Sequence, residues 1–302
     1  MFRKFCISAL LLAMGSSVAS AQVLLERKFP EGTKATVHKD QKVTQTLTLN
    51  GMNIDTKSST FVVSTTSIGK RNGDGSLKVE EKIDSLQTEV TLPGAILQFD
   101  SANPDKKADL PQLEPILELF RAISRLPITV EFDAKNKITT VKLPDGEFEK
   151  LPQSASERLN PETLKKAIEQ MNAFLPDEPV KQGDTWERPI EMNLGAGQTL
   201  SFRTKFEYAG TVDQDGETLD KISGKSFDIN FAINGNPALS VTKSDLKVVD
   251  TDSTYLFDRK RGAVVSLASK IQIAGPLTLV INGAEMVGKV DLMIEDKTTR
   301  QK

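Results

Sequence analysis

The stretch Leu200-Ser201-Phe202-Arg203-Thr204-Lys205-Phe206-Glu207-Tyr208 decides the fold. Leu200, Phe202, Phe206 and Tyr208, with Val212 beyond them, fall on one side of a two-residue repeat, and Ser201, Arg203, Lys205 and Glu207 fall on the other. Successive side chains of a strand point to opposite faces of its sheet, so this alternation belongs to an antiparallel strand with one face buried and one solvated. Phe227, Ile229, Phe231 and Ile233 repeat the pattern, and Val290, Leu292 and Ile294 do so around Asp291 and Met293. Turn chemistry agrees. Asn50-Gly51 separates Thr44–Leu49 from Met52–Thr56, and Asn72-Gly73-Asp74-Gly75 divides two further β-rich runs; both are hairpin signals, because Asn, Asp and Gly tolerate the positive φ of tight turns.

The strands are long. Lys34–Leu49 would extend for roughly 50 Å if unbroken, at about 3.4 Å per residue, and a break is expected within it. Between Leu77 and Leu92 the apolar positions are first odd (Leu77, Val79, Ile83) and then even (Leu86, Val90, Leu92). That phase change predicts a β-bulge that bends the strand. The chain therefore reads as mainly β (β-rich α+β): a large curved antiparallel sheet or half-barrel.

Two amphipathic helices interrupt the β pattern. In Gln112–Arg125, the residues Leu113, Ile116, Leu117, Phe120 and Ile123 recur at helical spacing, with Glu114, Glu118 and Arg121 opposite. The second helix spans about 161–174, with Asn160 as N-cap, Pro161 at the first position, and Leu164, Ile168, Met171 and Leu175 as its stripe. Both are expected on one face of the sheet, capping the core or, for Leu113, Ile116, Leu117, Phe120 and Ile123, forming a lid over a ligand. Residues 146–179 are polar and dotted with proline, so they read as a connector, with the second helix, between a β-rich half at 22–145 and another at 180–302. The halves share local features. Pro30-Glu31-Gly32-Thr33 opens the first and Lys181-Gln182-Gly183-Asp184-Thr185 the second; Val130-Glu131-Phe132-Asp133-Ala134-Lys135 parallels Tyr255-Leu256-Phe257-Asp258-Arg259-Lys260. Duplication is one account of this, and ordinary hairpin chemistry, with Asp bonding its own turn backbone, is the other.

The first residues read as a signal peptide, 1–21. Arg3 and Lys4 form a basic start, Ile7–Met14 an apolar run, and Ala19-Ser20-Ala21 a small-residue cleavage site. The apolar run is far short of the ~20 residues of a membrane span, so the expectation is export to the periplasm or beyond, with no transmembrane segment after cleavage near Ala21. Cleavage would also remove Cys6, the only cysteine. Disulfides, thiolate metal sites and a cysteine nucleophile would then be excluded. Without Arg3 and Lys4 the 39 basic residues fall to 37 against 41 acidic, an ordinary surface with no basic cluster for nucleic acid.

Candidate chemistry is sparse. One histidine, His38, excludes metal sites that need two imidazoles, and it alternates with Thr36, Asp40, Lys42 and Thr44 on a polar strand face. Ser67-Ile68-Gly69-Lys70 matches a Ser-x-x-Lys pattern but lies in a β run. Asp213-Gln214-Asp215-Gly216-Glu217 lacks the distal glutamate and flanking helices of an EF-hand and reads as a hairpin turn. No catalytic residue, cofactor or metal ligand is assigned. A carboxylate pair of glycosidase type stays open, although only Trp186, Tyr208 and Tyr255 offer rings with a polar handle.

One local pattern is more specific: Pro179-Val180-Lys181-Gln182-Gly183-Asp184-Thr185-Trp186, placed after an amphipathic helix. It resembles a family of exported bacterial proteins of unknown function, common in planctomycetes, and the signal peptide and repeated Phe-Asp turn fit the same family. Gly183, Asp184 and Trp186 are read as structural: a turn glycine, a turn-bonding carboxylate and a strand anchor. The architecture is more weakly similar to the half-barrels of envelope lipoprotein carriers. These readings lead to a non-enzymatic envelope protein binding a lipid or other hydrophobic ligand in a concave sheet. A structural module with a filled core, engaging an envelope protein partner, is the alternative, and a carboxylate-based hydrolase the second.

Overall fold

Asn50 and Gly51, at φ 50° and 80°, join strands β1 (Lys34–Leu49) and β2 (Met52–Ile68) in the expected two-residue hairpin. A computed structural model describes residues 22–151, 155–156, 159–195, 198–233 and 239–301. The expected signal peptide, with Cys6, lies outside the described residues. After β2 the chain continues through β3 (Leu77–Leu92), β4 (Ala95–Asp100), helix α1 (Glu114–Arg125), β5 (Ile128–Phe132), β6 (Ile138–Lys142) and helix α2 (Pro161–Met171). It then forms β7 (Thr185–Gly195), β8 (Gln198–Gln214), β9 (Glu217–Ile233), β10 (Leu239–Ser244), β11 (Lys247–Asp258), β12 (Ala263–Ile281) and β13 (Ala284–Arg300).

All thirteen strands belong to one antiparallel sheet, ordered β6-β5-β3-β2-β1-β13-β12-β11-β9-β8-β7, with β4 on β3 and β10 on β12. The order ends on different strands, so the curved sheet is open rather than a closed barrel. The first and last strands pair at its centre, from Val37 opposite Arg300 to Leu49 opposite Gly288.

The bend of β3 lies where the phase change predicts it. Val63 pairs with Ser85 and Ser64 with Ile83, so Asp84 is the extra residue and Ile83 and Leu86 share a face. The expected break in Lys34–Leu49 is absent: β1 runs in continuous register with both neighbours. The register shifts fall in other strands instead, with bulges in β3, β8 and β11. A second correction concerns Phe227. Between Arg203, which pairs with Phe227, and Ser201, which pairs with Asn230, β9 carries an irregularity with Asp228 at φ 51°. Phe227 is thereby turned away from Ile229 and Phe231 and lies under the Arg203 guanidinium, 5.1 Å from its ring centroid.

Both helices pack on the inner face of the sheet. Leu117 of α1 lies on Leu86, Leu97 and Phe99, while Leu164 and Ile168 of α2 lie with Leu77, Val79, Val130 and Val141. Asn160 caps α2, its side chain accepting from the Glu162 amide at 2.9 Å. The stripes are not those expected throughout. Ile116 is 38% exposed, whereas Leu119 and Ala122 are buried with Ala155 and Leu159, because α1 is covered on a second side by the chain that follows β6. Met171 is exposed where α2 ends in a turn.

Among the described residues, no helix contributes to the core on the inner face of β7–β13. Its core, including Leu200, Phe202, Ile271, Ile273, Leu277, Leu292 and Leu49, is enclosed by the strands themselves. Around it, Leu47, Met192, Ile229, Phe231, Val241, Ile281 and Met286 are only partly covered.

Candidate functional site

An extended strap, residues 22–33, crosses one end of the concave face. Its side chains alternate: Val23, Leu25, Arg27 and Phe29 face inward, and Leu24, Glu26, Lys28 and Pro30 are exposed. Val23 pairs with Val180. Leu25, 1% exposed, enters the cluster of Phe206, Tyr208, Ile222 and Phe257. The Lys28 amide donates to the Gly262 carbonyl at 3.1 Å, and the Phe29 ring meets Phe132 at 4.5 Å. A Cβ on Gly262 would collide with the Lys28 backbone, so glycine admits the strap at this point.

The two Phe-Asp sequences each enter a hairpin at this end, in turns of different bonding pattern. Asp133 Oδ1 accepts from the Lys135 and Lys137 amides at 2.8 and 2.9 Å; Asp258 Oδ1 accepts from Lys260 and Arg261 at 2.7 and 3.0 Å. Each buried phenylalanine receives one strap residue, Phe257 taking Leu25 and Phe132 taking Phe29. Arg27 falls between them. The tips of the β1–β2, β3–β4 and β12–β13 hairpins lie at the opposite, open end.

Below the strap lies a satisfied polar network. Asp220, 2% exposed, accepts from the Tyr208 hydroxyl at 2.7 Å and from Arg259 Nε at 3.0 Å. Tyr255 stacks on Phe174, centroids 4.4 Å apart. Burial, then the hydrogen bond to Asp220, pushes the Tyr208 phenol up to about 12; burial, then the Asp296 charge, pushes Tyr255 up to about 12. Unfolded tyrosine ionises near pH 10, so the stability that protonated phenols confer is complete below pH 10 and lost as pH rises through 12. These are the only two tyrosines. Absorbance titration of the native protein is expected to show almost no tyrosinate at pH 10.5, against more than half ionised in denaturant.

The middle of the inner face is polar. Lys39 approaches Asp296 at 3.7 Å, Gln41 donates to Asp296 at 2.9 Å, and Thr60 and Thr88 share a 2.8 Å bond. At the open end a cleft of about 590 Å³ lies between the β3–β4 hairpin and the approach to α1, lined by Leu92, Ala95, Ile96, Leu110 and Leu113. Ile96 is 55% exposed.

Of the residues singled out in the sequence, Leu113 lines this cleft, while Leu117, Phe120 and Ile123 pack directly on the sheet and on the chain after β6. Gly183 sits at φ 91° and donates its amide to the Tyr208 carbonyl at 2.8 Å. Asp184 accepts from the Lys181 amide at 2.9 Å, and the Trp186 indole donates to the Phe174 carbonyl at 3.1 Å. That turn is some distance along the sheet from the cleft and serves to start β7. His38 lies on the outer face against Phe61 and Gln301. Asp213–Glu217 spans the β8–β9 turn, with Asp215 and Gly216 at positive φ. Among the described residues, no cluster of three or more His, Cys, Asp and Glu is placed to hold a metal, and no helix is long and apolar enough to cross a membrane. Sequence reading missed the strap; its signal is weak, because only Glu26 and Lys28 give a polar alternation beside Leu25 and Phe29, while Leu24 interrupts it and Arg27 occupies an inward place.

No curated protein matches the sequence. Among solved structures, lipovitellin, in a study of its lipid–protein interactions, is 8% identical with a TM-score of 0.36, covering 91% of this chain and 26% of its own. This chain thus spans about a quarter of lipovitellin. An outer-membrane channel from Pseudomonas putida F1 is 8% identical with a TM-score of 0.21, over 90% of this chain and 97% of its own. A Bacteroides fragilis protein described as exported, with a YmcC-like fold, is 9% identical with a TM-score of 0.20, over 89% and 98%. Similarity at this level extends to no site residue. A family model matches residues 74–226, from the turn before β3 into β9, and by that match over half its length the chain belongs to a family of unknown function (DUF6263).

Proposed function

We propose that the protein is an exported, non-enzymatic envelope protein that holds a lipid or other hydrophobic ligand at the open end of its concave sheet, with the segment leading into α1, through Leu113, as part of the lid. The reading rests on the cleft of about 590 Å³ beside Leu113, which falls within the roughly 300–1,000 Å³ of small-molecule sites. Its lining sets the apolar Leu92, Ala95, Leu110 and Leu113 beside Thr91 and Asp109, and an acyl chain would remove the apolar part from water at about 25 cal/mol per Å². Export is supported by the basic start and apolar run before Ala21. The two β-rich halves, 22–145 and 180–302, joined by 146–179, are read as related through their Phe-Asp hairpins.

The test is native mass spectrometry, with solvent-extract analysis, of protein purified gently from its own envelope. A reproducible co-purifying lipid is expected, and Leu113→Glu should reduce its occupancy about tenfold or more, because a carboxylate would be desolvated against the ligand. Bare polypeptide mass from the unmodified protein would overturn the reading and direct attention to a protein partner.

A further inference from the structure

Arg27 of the strap and Arg300 lie within electrostatic reach of each other at the strap end of the concave face, and the Arg27 Nε has no acceptor among the described residues. Arg300 ends β13 opposite Val37, on the inner side of the sheet. The Lys28–Gly262 backbone bond ties the strap to the β11–β12 turn, and the Gln301–Thr36 bond ties the end of β13 to the start of β1. Arg27 Nε is fully buried and has no hydrogen-bond partner. The guanidinium lies over the Phe29 ring at 5.6 Å. Burial first, then repulsion from Arg300, pushes the Arg27 guanidinium below its ordinary range; burial and Arg261 do the same to Arg300. Two carboxylates are near enough to act through charge: the exposed Glu81 of β3 for Arg27, and Asp258 for Arg300. Asp258 is engaged with Arg261 at 3.2 Å.

A buried donor without an acceptor destabilises a fold, and two like charges held together add to that cost. Methionine or leucine at position 27 would continue the inward apolar alternation of Val23, Leu25 and Phe29. The planar fork of a guanidinium is suited to bidentate contact with a phosphate or carboxylate. We propose that Arg27 and Arg300 form an oxyanion site, taking a phosphate or carboxylate group between them. Flanking Leu25, Phe29 and Phe132 make an amphiphile's head group as suitable as a free ion. The site is distinct from the cleft beside Leu113, which lies at the other end of the strands, and it does not rest on the lipid reading.

Calorimetric titration with inorganic phosphate, dodecyl phosphate and dodecanol tests it. Binding of one or both phosphates is expected, with dodecanol at least tenfold weaker at this site. Phosphate alone binding as well as dodecyl phosphate would identify a free-ion site, and a marked preference for dodecyl phosphate a head-group site. Arg27→Met should weaken phosphate binding roughly tenfold to a hundredfold, the range for hydrogen bonds to charged groups, while the ligand-free variant melts at the same or a higher temperature. Arg27→Lys should recover part of the affinity. The proposal fails if neither phosphate binds, or if binding survives Arg27→Met unchanged. A lower melting temperature for ligand-free Arg27→Met would also count against it, because a purely structural arginine would produce that result.

Discussion

Phe257→Ala is expected to lower stability by about 3–5 kcal/mol, the range for truncating a fully buried phenylalanine. Phe257 has no exposed surface and meets Phe174 edge-on at 6.3 Å, within the cluster that receives Leu25 of the strap. The loss therefore has two parts: the transfer free energy of the ring and the cavity left under the strap. Denaturant unfolding measures the total. Hydrogen exchange separates the local part, because the Val23 and Lys28 amides, bonded to Val180 and Gly262, should lose protection before the central β1 and β13 amides do. Retained strap protection in the variant would show that Phe257 does not anchor it.

Asp220→Ala should cost about 3 kcal/mol. The substitution leaves the Tyr208 hydroxyl, on a residue 4% exposed, without its acceptor and removes both contacts to Arg259. Breaking a buried charged pair commonly costs about 3–5 kcal/mol. The lower end applies here because the Arg259 side chain, 40% exposed, can turn to water. Tyr208→Phe leaves the Asp220–Arg259 pair intact and should cost about 1 kcal/mol. The double variant should cost less than the sum of the two, since the hydroxyl stranded in Asp220→Ala is no longer present. Additive losses would mean that Tyr208 and Asp220 act independently.

Val212, beyond the register shift after Tyr208, falls on the opposite face from the one expected, whereas the alternation in β8 from Leu200 to Tyr208, the hairpin at Asn50-Gly51, the phase change in β3 and the cap at Asn160 were all legible from sequence. Each arises between residues close in sequence, where strand periodicity, turn conformation and capping are decided by the side chains themselves. Reading failed where a backbone irregularity or a distant neighbour intervened. Phe227 continues an apolar repeat in the sequence, yet the turn in the backbone at Asp228 carries it to the outer face under Arg203. Leu119 and Ala122 lie off the main stripe of α1, yet packing by the chain around Ala155 and Leu159 buries them.

The sequence by itself determined that the chain builds long antiparallel strands with one apolar face and two amphipathic helices to lie on it. Periodicity encodes which side of an element is apolar, and that is a local property. Only the tertiary structure decided which elements meet: β1 with β13, Leu25 with Phe257, Phe29 with Phe132, and Arg27 with Arg300. These partners are brought together by strand order and by the path of the strap, and the chain entropy spent in joining such distant residues is recovered only when the whole sheet forms. Arg27 is the sharpest case. Its charge is plain in the sequence, but that its buried Nε has no acceptor among the described residues is a property of the folded neighbourhood alone.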